Sequence, residues 1–311
     1  MEKLAIIGSG TMGHSIALSA AWSGLSVKMY GLDDLDLSNG LLGIQQKISI
    51  LIENGLLPSS QSDQVLSRIS LTKSKEEAVS EATFVIECIP EDLGLKQELF
   101  KYLDEICSPD VILASNTSGL SLSKMLADTK HPERFVLTHF WNPAHLIPLV
   151  EVLRTSLTAS SVFKRTIDLL NLMGKKPVEV KKEVPGLIGN RLQFALLREA
   201  LSLLEEGVAS KEDIDAAVIY SIGRRLPVTG PIASADMGGL DVFAAISDYL
   251  FKDLSNADRA FSSMRSLVEQ KKMGLKSFEG FYLWDKKFSD EMTGSREKEL
   301  IRQLKQDRGI E

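Results

Sequence analysis

The sequence predicts an α/β protein in two parts, a doubly wound and mostly parallel sheet followed by an all-α second domain. Three observations lead there. Over the first part of the chain, short apolar runs alternate with helix-like segments, the pattern of a parallel sheet covered by helices. The opening strand runs straight into Gly8-Ser9-Gly10-Thr11-Met12-Gly13, a glycine pattern at a strand-to-helix turn. After Val184-Pro185-Gly186 the apolar period becomes that of helices. The boundary is placed near Glu183, giving a sheet domain over residues 1–183 and a helical domain over 184–311.

In chain order the expected strands are Leu4 to Ile7, Val27 to Tyr30, Phe84 to Ile89, Val111 to Ala114, Phe135 to His139, Leu149 to Leu153 and Val178 to Val180. The first, third and fourth are continuous apolar runs, as strands buried on both faces should be. Lys176-Pro-Val-Glu-Val-Lys-Lys alternates apolar with polar residues, which suits a strand near the sheet edge with one solvated face. In the second part, helical spacing covers Leu187 to about Gly207, Asp213 to Tyr220, Leu240 to Leu250 and Ser262 to Lys271. Gly207, the polar run Ser210 to Asp213 and a loop from Gly223 to Pro231 supply the breaks. The highly charged tail beyond Asp285 is expected to be a solvated helix or a frayed end.

Composition narrows the function. A 44% hydrophobic content gives each part a core, and 42 acids against 36 bases leave a net charge of −6, which argues against nucleic-acid or anionic-membrane partners. A small molecule is the expected partner. The start MEKLAIIGSG carries no charged leader with a cleavable apolar segment, and no run approaches the roughly 18 apolar residues of a membrane span, so neither secretion nor membrane insertion is expected. Two cysteines, Cys88 and Cys107, are too few for a disulfide framework or a paired zinc site. A cytoplasmic protein without a metal is expected.

In the glycine pattern, Gly8 permits the tight turn, Gly10 lets the backbone approach a pyrophosphate, and Gly13 lets the helix pack close to the strand. Thr11 and Met12 open that helix, whose N-terminus faces the anion. A dinucleotide site normally also has an acid at the end of the second strand for the adenosine ribose. Here the strand ends Met29-Tyr30-Gly31, with glycine in the acid's place, and Asp33 reaches the ribose only if the turn folds back. With no arginine nearby for a 2′-phosphate, NAD is favoured over NADP, and NADP stays the alternative.

The densest motifs lie mid-chain: Ile86-Glu-Cys-Ile-Pro-Glu-Asp-Leu-Gly-Leu-Lys96, Ala114-Ser-Asn-Thr-Ser118, Thr138-His-Phe-Trp-Asn-Pro143, Pro148-Leu-Val-Glu-Val152 and Pro185-Gly-Leu-Ile-Gly-Asn-Arg-Leu192. Oxidation of an alcohol needs a base for the hydroxyl proton. His139 is the natural candidate because imidazole titrates near working pH, and Glu151 can fix its tautomer and stabilise its charged form. Ser118 and Asn190 offer neutral hydrogen bonds for the reacting oxygen.

On these motifs the chain resembles the L-3-hydroxyacyl-CoA dehydrogenase family over both domains, which implies a Rossmann domain followed by a helical domain that pairs in a homodimer. The resemblance implies a catalytic set of Ser118, His139, Glu151 and Asn190, and cofactor contacts from Glu91, Lys96, Asn116, Asn142 and Lys276. The segment Lys276-Ser-Phe-Glu-Gly departs from the family's Lys-Thr-Gly followed by a further glycine. Within the family the chain is most similar to the subgroup of lambda-crystallin (L-gulonate 3-dehydrogenase), carnitine dehydrogenase and a pyridoxine-degradation dehydrogenase. That subgroup implies a small polar hydroxy acid as substrate, with an acyl-CoA thioester or a non-catalytic crystallin-like or cofactor-sensing role as the alternatives. Between Asp33 and Ser67 the only base is Lys47, a poor provision for the phosphates of coenzyme A. Arg224 and Arg225 are placed to hold a substrate carboxylate. A second dehydrogenase family, for β-hydroxyacids, also opens with a glycine-rich Met-Gly loop. It has a lysine four residues before its asparagine, where this chain has Gly186 before Asn190.

Overall fold

The computed structural model describes residues 2–310. Strand β1 (Lys3–Ile7), helix α1 (Thr11–Trp22), strand β2 (Ser26–Tyr30) and helix α2 (Asp34–Glu53) open the chain. Strands β3 (Ile69–Thr72), β4 (Phe84–Glu87), β5 (Ile112–Ser115), β6 (Phe135–Phe140), β7 (Leu149–Leu153) and β8 (Lys176–Val180) complete an eight-stranded sheet of order β3-β2-β1-β4-β5-β6-β7-β8. Every neighbouring pair is parallel except β6 with β7.

Two features differ from the expected strands. Strand β3 is not among the expected strands, because Ile-Ser-Leu-Thr is four residues long and half polar, as an edge strand can be. The expected strand from Phe84 to Ile89 stops at Glu87, just before the turn at Pro90. Strand β8 takes the other edge and exposes Lys176 and Glu179.

Alternation along a strand builds the core. Leu4 and Ile6 of β1 point into one apolar cluster with Ile16, Leu18 and Ile44, while Ala5 and Ile7 point into the other with Val85, Phe100 and Phe135. Each fully buried side chain of this kind contributes about 1.5–3 kcal/mol.

The chain divides into two compact units, Met1–Ile188 with Arg296–Glu311, and Gly189–Ser295. The first break therefore lies slightly beyond Glu183, and the C-terminal residues group with the first unit and not with the helical domain. The charged tail is a helix, Lys286–Arg308, whose last turns bury Ile301 and Leu304 in the first unit's core, correcting the picture of a solvated or frayed end. The signal was an apolar i,i+3 pair within a charged run. The Arg308 guanidinium lies 3.6 Å from the centre of the Trp22 ring in the same unit.

In the second unit, helices span Gly189–Glu205, Lys211–Tyr220, Pro231–Gly238, Leu240–Leu250 and Ser262–Glu269. The expected loop from Gly223 to Pro231 includes part of a short helix, Ile222–Arg225. Among the described residues of this unit, Leu201 is the only buried hydrophobic. No helix of the described residues is long and apolar enough to cross a membrane.

Candidate active site

The glycine loop is shaped by close contacts on two sides and open space on a third. Gly8 adopts φ +117°, and a Cβ there would lie 2.7 Å from the Cys88 carbonyl oxygen, so only glycine fits without strain. A Cβ on Gly13 would meet the Gly8 carbonyl oxygen at 1.8 Å, the close helix-to-strand approach the pattern calls for. Around Gly10 nothing lies within 4 Å of an added Cβ. The first turn of α1 has neither a side-chain cap nor an acid, so its amides can receive an anion over Gly10. This cradle fits a dinucleotide pyrophosphate, with Thr11 exposed and Met12 half-buried beside it.

At the end of β2, an added Cβ on Gly31 would crowd Leu37 at 2.6 Å and the Ser9 hydroxyl at 3.0 Å. Packing thus occupies the place expected for an acid. Asp33 is exposed and caps α2, its Oδ1 accepting the Asp36 N–H at 2.8 Å, while Asp36 accepts the Leu32 N–H at 2.9 Å.

The C-terminal ends of β4 and β5 carry a charged network. Lys96 and Glu87, both almost fully buried, form an ion pair, and Glu87 also accepts from the Ser115 hydroxyl at 2.6 Å and the Ile89 N–H at 2.8 Å. Burial pushes the Glu87 carboxyl up, against the pull of the Lys96 ammonium. Lys96 lies 3.4 Å from Glu91, whose other oxygen accepts from the Thr117 hydroxyl at 2.5 Å, the Ser118 N–H at 3.0 Å and the Gly119 N–H at 3.1 Å. Burial works to raise Glu91, but the Thr117 hydroxyl, Lys96 and these amides together hold it below the usual carboxylate range. The Ser118 loop is thereby tied to the β4 end. Asn116 ties β5 to β6 by accepting the Phe140 N–H at 2.9 Å.

The antiparallel pairing of β6 with β7 puts His139 directly opposite Glu151. His139 Nδ1 and Glu151 Oε2 are 2.8 Å apart, with the residues 5% and 1% exposed. A buried carboxylate accepting from Nδ1 leaves Nε2 as the nitrogen that can take a proton. Glu151 is held from two further sides: Oε2 also accepts the Trp141 indole N–H at 3.1 Å, and Oε1 accepts the Ile188 N–H at 2.7 Å. Asn142 is exposed just after β6.

The first unit thus gathers the glycine loop, Glu91, Lys96, Asn116, Ser118, His139 and Glu151 on neighbouring elements. Asp33 and Asn142 belong to the same unit, and Asn190, Arg224, Arg225 and Lys276 to the second. Asn190 stands in the first turn of helix Gly189–Glu205, and Lys276 is exposed on the single turn Leu275–Ser277. Phe278, where the family motif has glycine, adopts φ +61°, a conformation that costs a non-glycine residue about 1–2 kcal/mol. Arg224 and Arg225 are exposed on a helix and not in a loop, with Arg224 stacked 5.3 Å from the centre of the Tyr220 ring.

Sequence reasoning missed Glu87, Thr117 and Trp141. An acid inside the apolar run Phe-Val-Ile-Glu signals a buried charge needing a partner, and Lys96 lies one helix entry later. For Trp141 only its position two residues from His139 gave a hint. Among the described residues no group of three or more His, Cys, Asp or Glu could hold a metal ion.

Comparisons with known proteins agree with this fold. Residues 3–184 match the model of the 3-hydroxyacyl-CoA dehydrogenase NAD binding domain, and residues 186–284 match that family's C-terminal domain. A solved structure of 5-formyl-3-hydroxy-2-methylpyridine 4-carboxylic acid 5-dehydrogenase, described as an NAD+-dependent dismutase, superposes with a TM-score of 0.92 at 34% identity, each chain covered in full (100%). The 3-hydroxybutyryl-CoA dehydrogenase of Clostridioides difficile is 34% identical over 285 residues, 91% of this chain and 100% of that protein. A lambda-crystallin homolog of Homo sapiens is 39% identical over 228 residues, 73% of this chain and 72% of that protein.

Proposed function

Since the chain belongs to the 3-hydroxyacyl-CoA dehydrogenase family and is an NAD-dependent oxidoreductase, we propose that its substrate is a small polar 3-hydroxy acid, or the corresponding oxo acid. The observation that carries the catalytic reading is the buried His139–Glu151 pair, 2.8 Å apart, at the end of the strand next to the Ser118 loop. His139 Nε2 removes the hydroxyl proton, and Glu151 stabilises the imidazolium that results. Ser118, and Asn190 from the second unit, hold the reacting oxygen. Bound NAD supplies the hydride acceptor. Gly8, Gly10, Thr11, Met12 and Gly13 hold its pyrophosphate end, with Asp33 toward the adenosine ribose. Glu91, Lys96, Asn116, Asn142 and Lys276 supply further contacts to the cofactor.

The preference for a free acid over a CoA thioester rests on charge. Lys47, the only base between Asp33 and Ser67, is half-buried with Nζ 2.8 Å from His14 Nε2, so even this one cation is turned toward the interior. Burial lowers its pKa. The relative with the 0.92 superposition acts, by its description, on a 5-formyl pyridine carboxylic acid, a small free carboxylic acid and not a thioester. Arg225 supplies the carboxylate contact. The thioester reading is supported by the 3-hydroxybutyryl-CoA dehydrogenase relative.

The apolar residues left exposed on the second unit support a homodimer formed through its helices, with Phe243 at 42% and Tyr249 at 65% exposure. Unbridged Cys88 and Cys107 fit a cytoplasmic protein. Substitution His139→Ala tests the catalytic reading: turnover falls by about 10² to 10⁴ while NADH affinity is retained. Wild-type turnover in that variant rejects His139 as the base.

A further inference from the structure

We infer that Trp141 is a positioning residue of the reaction, its indole N–H sharing the Glu151 carboxylate oxygen with His139 and so fixing the direction of the imidazole. The inference rests on the reading of His139 as the base. Trp141 stands just past the end of β6, two residues on from His139. They meet on a single atom: Glu151 Oε2 lies 2.8 Å from His139 Nδ1 and 3.1 Å from Trp141 Nε1. The two rings pack with centroids 5.6 Å apart and planes tilted by 56°. The other oxygen, Oε1, is held by the Ile188 N–H at 2.7 Å.

This arrangement has two consequences. Glu151 is 1% exposed, so its orientation is set by donors and not by water. An indole N–H donates only and does not titrate, so it holds Oε2 in both protonation states of His139. The carboxylate cannot swing away as the imidazole gains and loses its proton. The second consequence is electrostatic. A donor already drawing on Oε2 leaves less negative charge to face the imidazolium that forms when the base takes its proton.

Trp141→Phe removes the N–H and keeps an aromatic ring against His139. The expected result is a three- to tenfold loss in kcat with the KM for NAD unchanged, and an upward move of about half a pH unit or more in the acid limb of the rate profile. The sign follows from the chemistry: without the indole donor the imidazolium is better stabilised, and a higher pH is needed to free the base. In a Glu151→Gln background the same substitution has little further effect, because its route is gone. As a check that needs no variant at Trp141, its indole proton exchanges with solvent more slowly in the wild-type protein than in Glu151→Gln.

An unmoved acid limb in Trp141→Phe, with His139→Ala inactive, overturns this inference and leaves the base assignment standing. A raised KM for the hydroxy acid with kcat and the acid limb unchanged also overturns it, making Trp141 a wall of the substrate pocket. A fully active His139→Ala rejects the base assignment itself, and this inference with it.

Discussion

The two units of the chain are built on different terms. The first buries apolar clusters on both faces of its sheet and closes its core with Ile301 and Leu304 from the C-terminal helix. The second, Gly189–Ser295, buries only Leu201 among its described hydrophobic residues and exposes Val242, Phe243, Ile246 and Tyr249 along one helix. Apolar area left in water forgoes about 25 cal/mol for each Å². The proposed homodimer would cover part of this area. The proposed proton-transfer pair, His139 and Glu151, needs fixed geometry and stands on the first unit, buried among its strands.

The comparison can be broken first in the core of the first unit. Phe100 is fully buried and meets Phe135 edge-on at 5.4 Å between centroids. Phe100→Ala should cost about 3–5 kcal/mol of unfolding free energy, measured by denaturant titration, with no dependence on protein concentration. A loss below about 1 kcal/mol would show that the first unit does not rest on this core. On the second unit, Val242→Glu with Ile246→Glu places two charges one turn apart on the exposed apolar helix face. On the proposed homodimer, sedimentation should show dimers for the unaltered protein, with a Tm that rises with protein concentration, and monomers for the double variant, with a Tm that does not. Unchanged sedimentation would remove this helix from the interface. The smallest effect is expected at Arg225→Ala, a KM for hydroxy-acid substrates raised more than twofold with kcat kept. A change below twofold for every active substrate ends the carboxylate-contact reading.

Much of this was legible in the residues. Buried parallel strands read as unbroken apolar runs, so β1, β4 and β5 were visible within two residues at either end, and the glycine pattern announced its own turn. His139 and Glu151 could be paired from their motifs, but only the antiparallel register of β6 with β7 puts them opposite each other. Short polar pieces were not legible. Strand β3 depends on its neighbour for its form, and the tail helix hides two core residues in a charged run. Trp141 was invisible because a side chain that acts through another has no spacing rule of its own.

The most direct test is turnover of the unaltered protein with NAD on matched pairs of substrates, each free 3-hydroxy acid against its CoA thioester, followed by the absorbance of reduced cofactor. The expected result is a kcat/KM at least about tenfold higher for a free acid, equivalent to about 1.4 kcal/mol in transition-state binding. A thioester preferred by the same margin would contradict the proposed substrate, and no turnover of either class would contradict the proposed chemistry.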